Sequence, residues 1–167
     1  DVLFQADPFV GLPAGDLLLF LEDDRTRIGA SQANALWIED LYGKAMLDRY
    51  AQERISCSGT TIGNHAAMAH YLKLMLWEGR PENAVRMRRD RRGYDQGIHN
   101  VLLHSGSLAG ATLVPNDAFV WTLHNVPDAE VKGDSKGLHT LDGRYPPVVH
   151  QYPTKPFAKE WVAKAYP

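Results

Sequence analysis

His150 and Lys155 bracket the run His150-Gln151-Tyr152-Pro153-Thr154-Lys155-Pro156. An imidazole can ligate a divalent metal, and a lysine ammonium can meet a phosphate. The run follows Pro147-Val148-Val149, an apolar triplet that reads as a short buried strand. It therefore lies where a strand ends and a loop begins, the usual position of ligand sites in α/β proteins. A hard divalent ion needs oxygen ligands beside the imidazole. Asp1 is the nearest candidate by type, because it begins a strand. The plain alternative for all three residues is a solvated place on the surface.

A second candidate is the helix start Gly93-Tyr94-Asp95-Gln96-Gly97-Ile98-His99-Asn100. Asp95 and Gln96 fall in its first turn, where the helix dipole favours a carboxylate. Capping alone accounts for Asp95. Yet His99 lies four residues after Asp95 and Asn100 four after Gln96, on a side away from Ile98 and Leu102. A face carrying Asp, Gln, His and Asn is denser in chemistry than a cap requires. The third candidate is Ser56-Cys57-Ser58-Gly59-Thr60-Thr61-Ile62-Gly63, whose small residues let backbone approach a ligand closely. They equally suit a tight turn. No sequence signal gives Cys57 a partner base, so it reads as buried filler. Hydrolase and nucleotide motifs of the H-E-x-x-H, C-x-x-C, G-x-S-x-G and P-loop types are absent, and the seven histidines are scattered.

The elements that must position these groups follow from local pattern. Residues 1–9 read as a strand ending in an Asp7-Pro8-Phe9 turn, and 16–22 as a second strand around Leu17-Leu18-Leu19-Phe20-Leu21, closed by an acidic-basic turn from Glu22. Ser31 is placed to cap a helix with Ala35, Ile38, Leu41 and Tyr42 on one side, interrupted at Gly43 and resumed over 45–51. Residues 54–59 read as a short strand and 60–63 as a turn. Asn64 caps a helix with a stripe of Met68, Tyr71, Leu72, Met75 and Leu76, ended by Gly79 and Pro81. A further helix covers 93–103, with strands at 111–114 and 118–123. The polar stretch 127–145 is long for a plain loop, which points to a functional segment or one partly ordered by a ligand. A helix over Pro156–Ala165 ends the chain. Strands and helices mix throughout, so the expected fold is α/β, with 1–167 as one domain.

Composition narrows the classes. Of 167 residues 44% are hydrophobic and 23% charged, ordinary for a globular domain with a core. A formal charge of −2 makes no general case for nucleic acid. No apolar run approaches the ~18 residues of a membrane span. Cys57 is the only cysteine, so no internal disulfide can form.

Taken in order, these segments resemble the C-terminal part of GT-A-fold glycosyltransferases, which move sugar from nucleotide-sugar donors. Asp1-Val2-Leu3-Phe4-Gln5-Ala6-Asp7-Pro8-Phe9 looks like the end of the family's acidic metal motif. Ile55-Ser56-Cys57-Ser58-Gly59-Thr60-Thr61-Ile62-Gly63 is similar to its donor-sugar segment. Gly93-Tyr94-Asp95-Gln96-Gly97-Ile98-His99-Asn100 resembles its D-Q-x-x-x-N helix. Val149-His150-Gln151-Tyr152 with Lys155-Pro156 resembles its closing H-x-x-x-x-K-P element. Cys57 and Ser58 depart from the pattern, so no sugar preference carries over. Because the chain opens in mid-strand, the resemblance implies a mixed sheet flanked by helices with the N-terminal nucleotide-binding half missing.

The resemblance implies roles. Asp1 and His150 would hold Mn²⁺ or Mg²⁺ against the donor diphosphate, and Lys155 would add a second positive contact. Ser58 and Gly59 would line the donor sugar opposite Asp95 and Gln96, with Asp95 orienting the sugar or acting as base to the hydroxyl of a glycan, protein or small-molecule acceptor. Two other classes compete. One is a catalytically idle fragment serving as an interaction domain. The other is a nucleic-acid binder using Arg86, Arg88, Arg89, Arg91 and Arg92. A solvated or acceptor-binding loop is the preferred reading of those arginines, because no aromatic residues interleave them.

Overall fold

A computed structural model describes residues 1–84, 86–88 and 92–166. Within them the chain is mixed α/β. Strand β1 (Val2–Phe4) lies antiparallel to β8 (Val148–His150), which runs parallel to β5 (Val120–Thr122). A second mixed sheet has β2 (Leu17–Leu21) at its centre, antiparallel to β3 (Ser56–Gly63) and parallel to β4 (Thr112–Val114). The pair β6 (Lys132–Gly133) and β7 (Leu138–His139) forms a small antiparallel ribbon.

Burial follows the alternation of strand side chains. All five residues of β2 are buried, as a strand covered on both faces must be. Leu17 and Leu19 pack on a helical layer with Leu41, Tyr71, Ile98 and Leu102. Leu18 and Phe20 turn the other way, onto Val114, Phe119, Val120 and Val148. Val120 and Val148 belong to the first sheet, so this cluster is the shared core between the two sheets. Their neighbours Trp121 and Val149 face away from it, onto Leu138 and Ala158.

The helices begin and end where their caps dictate. Ser31 Oγ accepts from the Asn34 N–H at the start of α1 (Gln32–Tyr42). Gly43 divides α1 from α2 (Lys44–Tyr50). Asn64 Oδ1 accepts from the Ala67 N–H at the start of α3 (His65–Glu78), and Gly79 closes it. A four-residue helix, α4 (Pro81–Ala84), leads toward α5 (Tyr94–His104), and α6 (Pro156–Ala165) ends the chain. No helix of the described residues is long and apolar enough to cross a membrane.

Several expectations need correction. Residues 60–63 are strand, not turn. The register shows why: Leu19 faces Thr61 and Leu21 faces Ser56, so residues 57–60 all stand opposite Phe20. This wide bulge lifts the small-residue segment out of the ladder. The expected stripe of α3 holds at Met68, Tyr71 and Met75, which pack on the core, but fails at Leu72 and Leu76, which are exposed. Residues 127–145 are not plain loop: they carry a helical turn at Asp128–Glu130 and the β6–β7 ribbon. Val131 and Leu138 are buried beneath Trp161, and the Gln5 amide donates to Leu138 O (2.9 Å) and Pro146 O (3.0 Å). Of the basic cluster, Arg86 donates to Leu41 O, while Arg89 and Arg91 lie outside the described residues.

Candidate functional site

The bulge in β3, the first turn of α5 and the end of β8 converge on one cavity of about 350 Å³. This volume falls in the range of small-molecule sites. Ser58, Gly59, Asp95, Gln96 and His150 line it. Asp1 stands beside them, its Oδ1 3.7 Å from His150 Nε2. Lys155 is not among the lining residues. It is buried, and its Nζ is ion-paired with Asp128 Oδ1 at 3.1 Å.

Gln96 organises the floor. The bulge frees the Ser58 N–H from the ladder, and Gln96 Oε1 accepts it at 2.7 Å. Gln96 Nε2 donates to Ser56 O and to Glu22 Oε1, both at 2.9 Å. Asp95 is exposed at the cavity edge and accepts from Ser58 Oγ at 3.0 Å. The same helix turn carries Gly93 at φ 91°, and a Cβ there would stand 2.5 Å from Trp37 Cζ2. Only glycine allows this backbone and this approach together. Gly93→Ala is therefore expected to cost about 1–3 kcal/mol, read as a lower melting temperature. An unchanged melting temperature would show that the Trp37 ring moves aside freely.

Glu22 is the site residue that the sequence reading passed over as part of a turn. It follows β2 directly, at the carboxyl end of a central strand, where α/β sites form. That position is the signal that could have found it. Burial pushes its carboxyl up to about 7, aided by the charge of Asp23 and opposed by the bond from Gln96. A carboxyl titrating near neutrality suits proton transfer. Asn125 Nδ2 approaches its second oxygen at 3.4 Å.

His150 is buried, not a surface histidine, and burial lowers its pKa. At neutral pH the ring is uncharged, so its approach to Asp1 is not an ion pair. Nδ1 has Thr122 Oγ1 at 3.4 Å and Cys57 Sγ at 3.6 Å. With Nδ1–H donated to Thr122, the Nε2 lone pair faces Asp1, the tautomer a metal requires. Burial pushes the Cys57 thiol up to about 12, which leaves it protonated and unsuited to nucleophilic attack.

His99 and Asn100 belong to the scaffold rather than the chemistry. Both are fully buried. Asn100 accepts from Ser56 N (2.9 Å) and donates to Ser56 O (3.0 Å), and His99 bridges Ser56 Oγ and the Tyr71 hydroxyl, each at 2.9 Å. Their polar face is turned onto β3 and holds the bulge in register.

Among the described residues no group of three or more His, Cys, Asp or Glu side chains is placed to hold a metal. Asp1 and His150 offer one oxygen and one nitrogen. At 3.7 Å apart both can reach an ion bonded at roughly 2.0–2.6 Å. The pair fits an open site that a ligand's oxygens and water complete, as is usual for Mg²⁺ with phosphates. No protein-family model, curated protein or solved structure matches this chain.

Proposed function

We propose that the protein is a metal-dependent glycosyltransferase of GT-A type, moving a hexosyl group from a nucleotide-diphosphate sugar to an acceptor hydroxyl. One observation carries this reading. Three segments far apart in sequence, each resembling a donor-site motif, meet at one cavity with a carboxyl tuned near neutrality. Asp1 and His150 hold Mn²⁺ or Mg²⁺, which supplies positive charge for the departing diphosphate. Asp95, held by Ser58, orients the sugar, and Gln96 keeps Ser58 and Glu22 in place. Glu22 accepts the proton from the acceptor hydroxyl. The acceptor oxygen bonds to the anomeric carbon, and the bond from that carbon to the diphosphate breaks, its electron pair leaving with the nucleoside diphosphate. Lys155, paired with Asp128, contributes charge only if that pair opens.

The test is nucleoside diphosphate release with Mn²⁺ and an acceptor panel. His150→Ala is expected to lose turnover by about 10²-fold or more. Asp95→Asn is expected to lose transfer while donor binding is largely kept. Unchanged turnover in His150→Ala sinks the metal assignment, and a parallel loss of donor binding in Asp95→Asn makes that residue structural.

A second reading draws on another face. Val2, Phe4 and Phe9 are exposed beside an apolar cavity of about 440 Å³ that Ile62 and Met68 also line. Such a surface suits an interaction domain without turnover. Absence of release together with absence of UDP or GDP binding by calorimetry favours it.

A further inference from the structure

Helix α3 is apolar on two opposite sides. One side, with Ala67, Met68, Tyr71, Leu74 and Met75, packs on the central core. On the other, Leu72 and Leu76 stand one turn apart and are 51% and 75% exposed, and Trp77 beside them is 63% exposed. A helix that is apolar all round is normally covered all round. Here the second stripe stands open. Apolar side chains scattered singly over a surface need no explanation, but three large ones within one and a half turns mark a contact surface.

The charges around this stripe are mainly positive. Lys73 is exposed beside Leu72. The Arg80 guanidinium lies 4.2 Å from the centre of the Trp77 ring. Arg86 lines the same small cleft as Arg80, and Arg86, Arg88 and Arg92 are all exposed. Of the nearby carboxylates, Glu78 accepts from the Tyr42 hydroxyl at 3.0 Å, and Glu82 stands 3.7 Å from Arg80 Nε. Residues 73–92 hold seven of the chain's 18 Lys and Arg and three of its 20 Asp and Glu, a surplus of four positive charges. Arg89 and Arg91 enter that count by sequence alone. With a net charge of −2 overall, the rest of the chain sums to −6. A negative surface therefore attracts this face and repels the remainder, which orients the molecule.

An apolar stripe bordered by cations matches a bilayer that carries anionic lipid. Leucine and tryptophan enter the boundary between headgroups and acyl chains, while lysine and arginine meet the lipid phosphates. Tryptophan favours that boundary. The long stems of Lys73 and Arg80 let their charges stay among the headgroups as the leucines sink below them. We propose that the outer side of α3, with the basic segment that follows it, docks the protein on an anionic membrane surface. The helix lies on the bilayer and does not cross it. Docking stands whether or not the cavity transfers sugar.

The test is co-sedimentation of the whole chain with vesicles of phosphatidylcholine alone and with vesicles that also contain phosphatidylserine. Wild type is expected to bind the second kind and not the first, and to be released as salt rises. Brominated acyl chains are expected to quench tryptophan fluorescence, and Trp77→Phe to remove that quenching. Leu72→Ser combined with Leu76→Ser is expected to weaken binding by about tenfold or more. Lys73→Glu, which reverses one charge, is expected to do the same, by about tenfold or more. All these positions are exposed, so melting temperatures should stay at the wild-type value. No binding to phosphatidylserine vesicles, equal binding to both kinds, or undiminished binding by the variants overturns the proposal. Quenching that survives in Trp77→Phe overturns α3 as the inserted element. A wild type that is dimeric in solution, made monomeric by the leucine changes and indifferent to vesicles, assigns the stripe to a protein interface and overturns membrane docking.

Discussion

Glu22→Gln is expected to abolish sugar transfer while making the protein more stable at alkaline pH. The activity half follows from the role of a base. Removing a positioned proton acceptor costs about 10²–10⁴-fold in rate. With Glu22 as the proposed base, wild-type transfer is expected to rise with pH through about 7, and the variant should lack that inflection. The stability half follows from linkage. The folded-state pKa lies above the ordinary glutamate value of 4.5, chiefly because burial opposes the charged form. The native state therefore prefers protonated Glu22. That contribution is fully present below about 4.5 and is lost as pH rises through about 7. At pH 8 the variant should be more stable by roughly 1–3 kcal/mol, and the difference should vanish near pH 4. Gln96 Nε2 can still donate to the new amide oxygen, which keeps the floor of the cavity intact. Urea denaturation at both pH values measures this. A variant less stable than wild type at pH 8 sinks the burial argument, and retained transfer sinks the base.

Asn100→Leu should produce the largest loss of stability among the polar substitutions considered. Leucine is close in size, so the effect isolates hydrogen bonding. The amide satisfies both Ser56 N–H and Ser56 O and also donates to Gln96 O at 2.9 Å. Ser56 O still accepts from Gln96 Nε2 in the variant, so the Ser56 N–H is the group left unpaired, at a cost of about 1–3 kcal/mol. For a chain of this size that is a fall in melting temperature of about 2–12 °C. Ser56 opens the bulge, so nucleotide-sugar binding should fall with it even though Asn100 does not line the cavity. A drop below about 2 °C would show that β3 holds its register without this tie.

Much of the framework was legible because its signals are local. Ser31 and Asn64 begin helices because a short polar side chain satisfies a free N–H within its own turn. The apolar run of β2 and the helix after Pro156 are likewise written in consecutive residues. The three motif segments were found from residue type and order, and five of the seven candidates line one cavity, with Asp1 beside it.

What stayed hidden depends on neighbours distant in the chain. Leu72 and Leu76 have the spacing of a core stripe, but α3 meets only one neighbouring layer and leaves them exposed. His99 and Asn100 look reactive in sequence and become scaffold once β3 lies against them. Lys155 looks free until Asp128 arrives from the preceding loop. Glu22 looks like a surface turn until Gln96, 74 residues away, closes over it. By itself the sequence determined most of the elements and their caps, and it marked the segments that meet at the cavity, because each rests on residue types within a few positions. Only the tertiary structure decided which polar groups are buried and which charges are suppressed, because desolvation is set by whatever packs against a group, however far along the chain it comes.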